Sequence, residues 1–130
     1  MRILLAEDDP NISLVTQLCL EKIGGHTVVV KSDGDAALQI ALREPFDLII
    51  LDGMMPKKSG LQVALELQAH GVVGTPIIFL SAKTDEKDVE DFMKLGTGYI
   101  AKPFEPQAIC ARIDAILAAS VSASRSGGAR

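Results

Sequence analysis

Aromatic residues make up only 4% of the 130-residue chain, and tryptophan is absent. The stacking platforms that usually hold single-stranded nucleic acid are therefore excluded, and Leu, Ile, Val and Ala must fill the interior. Cysteine is nearly missing as well. Cys19 and Cys110 show no metal-ligand spacing and read as two small buried thiols in a reducing compartment. An excess of positive charge is also lacking: 13 Lys and Arg stand against 17 Asp and Glu, giving a net charge of −4. That is the wrong sign for gripping phosphate backbones, so direct nucleic-acid binding by this domain is not expected. No apolar run approaches membrane-spanning length, and the opening Met1–Ala6 meets Glu7-Asp8-Asp9 too soon for a signal-peptide core. The expectation is a cytoplasmic protein with no membrane partner.

What is present is core-forming material, 48% hydrophobic residues against 23% charged, in a length that suits one domain. Short β-rich runs recur at Arg2–Ala6, His26–Lys31, Asp47–Leu51, Pro76–Leu80 and Gly98–Ala101, each followed by a stretch of helical spacing. Asp9 is placed to cap the first helix, with Pro10 in its first turn, and Ile12, Val15, Cys19 and Ile23 form its expected buried stripe before Gly24-Gly25. Later seams are expected at Ala37, Leu38, Ala41 and Leu42, at Leu61, Ala64 and Leu65, at Val89, Phe92 and Met93, and at Ile109, Ile113, Ile116 and Leu117. The charged run from Lys83 to Asp91 reads as a solvated helix face.

Such β-α alternation predicts an α/β fold with a parallel sheet. Leu48–Leu51 and Ile77–Leu80 are continuously apolar, as central strands covered on both faces by helices require. The architecture is expected to be a (βα)5 three-layer sandwich. Residues 120–130 are rich in Ser, Gly and Arg without periodicity, and read as a disordered tail or severed linker after a domain at 1–119.

Right-handed crossovers bring every strand's C-terminal end to one edge of such a sheet, where ligands bind. The residues collected there are Glu7, Asp8 and Asp9, then Asp52, Ser81 and Lys102. Crowded carboxylates repel unless protonated or joined by a cation, and oxygen-only ligands select a hard ion such as Mg²⁺, with Mn²⁺ an alternative. A carboxylate beside such an ion can attack phosphorus, because the ion and a nearby ammonium neutralise charge on the phosphoryl oxygens. Asp52, at the centre of the set, is the candidate nucleophile. Asp9 is left to helix capping.

In this order, Glu7-Asp8 before Asp9-Pro10, Asp52-Gly53-Met54-Met55-Pro56 with Ser59-Gly60, Ser81-Ala82 and Lys102-Pro103-Phe104 resemble the receiver domain of two-component response regulators. The resemblance implies a flavodoxin-like, doubly wound single domain with a central five-stranded sheet of order 2-1-3-4-5. It implies that Asp52 accepts a phosphoryl group from a histidine kinase or histidine phosphotransfer protein, with Mg²⁺. Asp8 would bind the ion directly, Glu7 through water, and Met54 through its backbone carbonyl. Lys102 would pair with Asp52 at rest and with the phosphoryl oxygens after transfer. Ser81 and the Ala82 N–H would donate hydrogen bonds to that group, and the bond preceding Pro103 is commonly cis in the family.

By the same resemblance, Tyr99 would fill the space that Ser81 vacates, biasing a surface of the fourth helix, fifth strand and fifth helix that meets a downstream partner or a lost output domain. The stretch Gly96-Thr97-Gly98-Tyr99 is one residue shorter than the family's usual one. The implied role is signalling, not enzymatic, apart from self-phosphorylation and autodephosphorylation, and a homodimer through the last helices is left open. Other readings fit less well. An interaction module that lost phosphorylation would not need the intact acidic set. A haloacid-dehalogenase-like phosphatase needs a second acid where Met54 stands, and a flavin binder needs a phosphate cradle where Glu7-Asp8-Asp9 would repel.

Overall fold

The computed structural model describes residues 1–83 and 85–128, with side chains described as far as Ser120. The elements run β1 (Arg2–Ala6), α1 (Pro10–Lys22), β2 (Thr27–Lys31), α2 (Gly34–Arg43), β3 (Leu48–Asp52), α3 (Gly60–Ala69), β4 (Ile77–Ser81), α4 (Glu86–Leu95), β5 (Gly98–Ala101) and α5 (Ile109–Gly128). All strand pairs are parallel, in the order β2-β1-β3-β4-β5. This is the doubly wound flavodoxin-like sheet that the alternation and the resemblance led us to expect.

The apolar runs serve two faces at once, because successive side chains point to opposite sides of a strand. Leu4, Ala6, Ile49, Leu51, Ile77 and Phe79 pack with α2, α3 and Phe92 of α4. Ile3, Leu5, Leu48, Ile50, Ile78 and Leu80 pack with Leu20 of α1 and Ile109 and Ile113 of α5. Burying each of the Leu, Ile and Phe side chains contributes about 1.5–3 kcal/mol, so the uninterrupted runs hold all three layers together.

The helix seams depart from the sequence reading. In α1 the buried residues are Ser13, Thr16 and Leu20, while Val15 is 42% exposed and Ile23 59% exposed. Apolar residues surround this helix, so periodicity does not select a face. Ser13 satisfies its own hydroxyl by donating to the Pro10 carbonyl at 3.2 Å, so this short side chain can be buried at the contact face. Likewise Leu42, Leu65 and Met93 face outward, and Ile40, Val63 and Leu67 take buried positions. The backbone of α5 continues to Gly128, past residue 119, so the linker-like composition of 120–128 carries helical backbone. The last two residues of that segment lie outside the described residues.

Strands β3 and β4 each end one residue later than the apolar runs suggest. Asp52 and Ser81 are thereby strand residues, with their backbones fixed by the sheet.

Candidate functional site

The parallel register sets Ala6 beside Leu51, Asp52 beside Leu80 and Ser81 beside Ala101. The ladder continues one step further at this edge. Glu7 N–H donates to Lys31 O at 3.0 Å, Gly53 N–H to Leu80 O at 2.8 Å, and Lys102 N–H to Ser81 O at 2.9 Å. Residues far apart in sequence are thus aligned by backbone hydrogen bonds before any side chain meets another.

Glu7, Asp8 and Asp52 each bring a carboxylate oxygen within 4.8 Å of the others. Glu7 is 1% exposed and Asp52 5%, whereas Asp8 is exposed at the rim. Asp9 turns away and accepts from the N–H groups of Asn11 at 2.9 Å and Ile12 at 3.2 Å, capping α1 as its place before Pro10 suggested.

The Lys102 ammonium lies among these acids. Its Nζ donates to Glu7 Oε1 at 2.9 Å, Glu7 Oε2 at 3.0 Å and Asp52 Oδ2 at 3.1 Å. Sequence reasoning anticipated the Asp52 contact and missed the two-oxygen contact with Glu7, for which a separation of 95 residues gives no local signal. Asp52 Oδ1 accepts from the Met54 N–H at 3.2 Å, so both oxygens of the acceptor candidate are held. The Met54 side chain is 61% exposed.

Ser81 is buried, and its Oγ accepts from the Lys83 N–H at 3.0 Å. Two glycines that sequence reasoning assigned no separate role keep the surroundings clear. A Cβ on Gly53 would lie 3.2 Å from Ser81 Oγ, and one on Gly60 only 2.4 Å from Asp52 O. Ala82 is exposed beside Ser81, and the peptide bond between Lys102 and Pro103 is cis.

Tyr99 stands apart from the carboxylates. It is half-buried on the α4 side, its ring 6.3 Å from Phe92, which stacks on Phe79 at 4.9 Å. The short turn before it is accommodated closely: Gly96 N–H donates to Phe92 O at 2.8 Å, and Thr97 N–H to Ile77 O at 2.7 Å. A Cβ on Gly96 would lie 2.6 Å from the Phe79 ring.

Burial, reinforced by the neighbouring Asp52, pushes the Glu7 carboxyl up to about 8, and burial likewise raises Asp8. Burial alone would lower Lys102, but its hydrogen bonds to Glu7 and Asp52 and their negative charges outweigh that and raise it. Three acids and one ammonium leave a formal charge of −2 when all are ionised. An oxygen-lined site with that deficit fits a hard divalent cation. Among the described residues no helix is long and apolar enough to cross a membrane.

Comparison with known proteins agrees with this geometry. A family model for the response regulator receiver domain matches residues 3–114. Transcriptional regulatory protein RprY of Bacteroides fragilis is 40% identical over 118 residues, covering 90% of this chain and 49% of that protein. The alkaline phosphatase synthesis transcriptional regulatory protein PhoP of Bacillus subtilis is 39% identical over 117 residues, covering 89% and 48%. The chain therefore spans about half the length of these relatives. Among solved structures, the receiver domain of the Francisella response regulator 1452 has a TM-score of 0.80 at 28% identity, covering 88% of this chain and 94% of that one. Chemotaxis protein CheY4 of Vibrio cholerae has a TM-score of 0.77 at 26% identity, covering 88% and 97%. The acidic edge of this doubly wound sheet is thus that of a two-component signalling protein, and the chain belongs to the response regulator receiver domain family.

Proposed function

We propose that the domain is a phosphorylation-dependent switch in which Asp52 takes a phosphoryl group from a phosphohistidine on a histidine kinase or histidine phosphotransfer protein. The Asp52 oxygen forms a bond to phosphorus as the phosphorus–nitrogen bond to the donor imidazole breaks, and the leaving imidazole takes up a proton. The observation carrying this reading is the double hold on Asp52, by Lys102 on Oδ2 and by the Met54 N–H on Oδ1, inside an acidic pocket. A carboxylate so oriented needs little reorganisation to attack.

Glu7, Asp8, Asp52 and the Met54 carbonyl are the groups to hold Mg²⁺, or Mn²⁺ in its place. A bound divalent ion supplies charge neutralisation for the transferred oxygens. Lys102 is a compact point charge that serves Asp52 before transfer and a phosphoryl oxygen after it. Ser81 and the Ala82 N–H are the neutral donors, and Tyr99 responds when Ser81 moves. The α4–β5–α5 surface then presents the change to a downstream protein or to an output domain, consistent with relatives of about twice this length that are named transcriptional regulators. The domain acts on itself only, in the cytoplasm, and contacts neither nucleic acid nor membrane directly. A homodimer through α5 is compatible with this role.

Intact mass after incubation with Mg²⁺ and acetyl phosphate tests the reading. The expected outcome is one added phosphoryl group in the wild type, none in Asp52→Asn and none without the metal. Addition to both proteins, or to neither, would refute it.

A further inference from the structure

The loop between β3 and α3 carries Met54 and then makes a turn that a side-chain-bearing residue rarely adopts. Lys57 has a φ of 71°, and Lys58 N–H donates to Pro56 O at 2.8 Å across it. A left-handed residue in such a three-residue turn costs on the order of 1–3 kcal/mol and persists only where surrounding structure enforces it.

The enforcing element is the first turn of α2. Asp33 caps that helix by accepting from the Ala36 N–H at 2.7 Å. The next residue, Gly34, is buried, and its N–H donates across to Pro56 O at 3.2 Å. A Cβ on Gly34 would lie 2.1 Å from Lys58 O and 2.7 Å from Lys58 C, main-chain atoms that have no rotamer to escape into. On the other side, Lys58 Nζ pairs with Glu66 of α3 at 2.8 Å. The loop's ends are tied together, since Gly60 N–H donates to Gly53 O at 3.2 Å. A displacement of Lys58 then falls within the closed loop 53–60, which includes Met54.

We infer that Gly34 is a positioning residue for the phosphoacceptor site: its missing side chain lets α2 seat on the Lys58 carbonyl and holds the Met54 main chain beside Asp52. This rests on the reading of Asp52 and Met54 as part of a Mg²⁺-dependent acceptor site. Gly34 itself meets the loop at Pro56 and Lys58. Restoring ordinary contact in Gly34→Ala requires α2 and Lys58 to part by more than about 1 Å, a misplacement large enough to matter at a site of fixed geometry.

The test is Mg²⁺ affinity of the phosphate-free chain, measured by calorimetry for the wild type, Gly34→Ala and Gly24→Ala. Gly24 is a control at the opposite edge of the sheet, where a Cβ would meet side-chain atoms, the His26 ring at 2.6 Å and Cys110 Sγ at 2.9 Å. Gly34→Ala should bind Mg²⁺ roughly tenfold more weakly, as loss of a supporting shell typically does, while Gly24→Ala binds as the wild type despite a lowered Tm. Equal affinity in all three, or equal loss in both variants, overturns the inference and leaves the acceptor reading standing. Failure of the wild type to bind Mg²⁺ removes both.

A second measurement needs no variant, because coupling is reciprocal. Saturating Mg²⁺ should slow hydrogen exchange of the Gly34 amide by more than that of the Ile23 amide, which donates to Cys19 O at 3.0 Å at the far edge. Equal responses would overturn the inference even if Gly34→Ala does not fold.

Discussion

The two edges of the sheet handle charge in opposite ways. At the N-terminal edge, the Met1 ammonium meets His26 Nδ1 at 3.0 Å, and Arg2 N–H donates to Asp47 Oδ2 at 2.7 Å. The Arg2 guanidinium reaches Pro45 O at 2.7 Å, pairs with Glu44 and lies over the Phe46 ring at 4.3 Å. Each charged group named has a partner, and Arg2 and Glu44 form an ion pair. At the C-terminal edge, the Lys102 ammonium pairs with the buried Glu7 and Asp52, and the third carboxylate of the cluster, Asp8, is not among its ion pairs. At the first edge the charged groups are thus each held by a partner. The second is left short of positive charge, which is the condition under which a cation or a phosphoryl group changes something.

Removing the ammonium that reaches Glu7 and Asp52 should have the largest effect. Lys102→Ala is expected to slow phosphorylation of Asp52 by roughly 100-fold, read by the rate of mass gain with acetyl phosphate, as loss of a preorganised electrostatic partner commonly does. An unchanged rate would mean that the ammonium is only a structural filler.

The pH dependence of stability should come next. Glu7 lies at about 8 in the folded chain against an ordinary 4.5, so the native state binds this proton more tightly than the unfolded one. Its contribution is fully present below 4.5 and is lost as pH rises through about 8. The raised Asp8 acts in the same sense, and the raised Lys102 does so only above the ordinary lysine range. Metal-free protein should therefore lose on the order of 1–2 kcal/mol in denaturant unfolding between about pH 6 and 8.5, and saturating Mg²⁺ should suppress the loss. A profile that stays flat without metal would contradict the contrast between the edges.

The smallest effect belongs to the N-terminal edge. Arg2→Ala should cost about 1 kcal/mol, since an exposed ion pair adds little and the cation–π contact adds about 0.5–1. Phosphorylation and the pH slope should stay as in the wild type, and a change in either would couple two regions that the geometry separates.

Much of this was legible before any coordinates. Continuous apolar runs indicated the buried strands, and the residue after each run indicated the site, because in a parallel sheet those positions must share an edge. The proline that follows Asp9 marked it as a helix cap, and it caps α1. What escaped was whatever depends on one element lying against another. Ser13 and Thr16 of α1 face inward where Val15 and Ile23 were the more hydrophobic choice, because contact with the sheet and α5 selects the face. The two-oxygen hold of Lys102 on Glu7 joins residues that only folding brings near, and the tightness of the Gly34 and Gly60 contacts depends on backbone from other elements.

The row of rings formed by Phe79, Phe92 and Tyr99 joins β4, α4 and β5 in one mechanical linkage. Phe92 lies between the other two rings, 4.9 Å from Phe79 and 6.3 Å from Tyr99, so a change in the packing of Tyr99 would reach α4 through Phe92. Under the proposed switch, a turn of Tyr99 would be passed to α4 as a shift of ring packing.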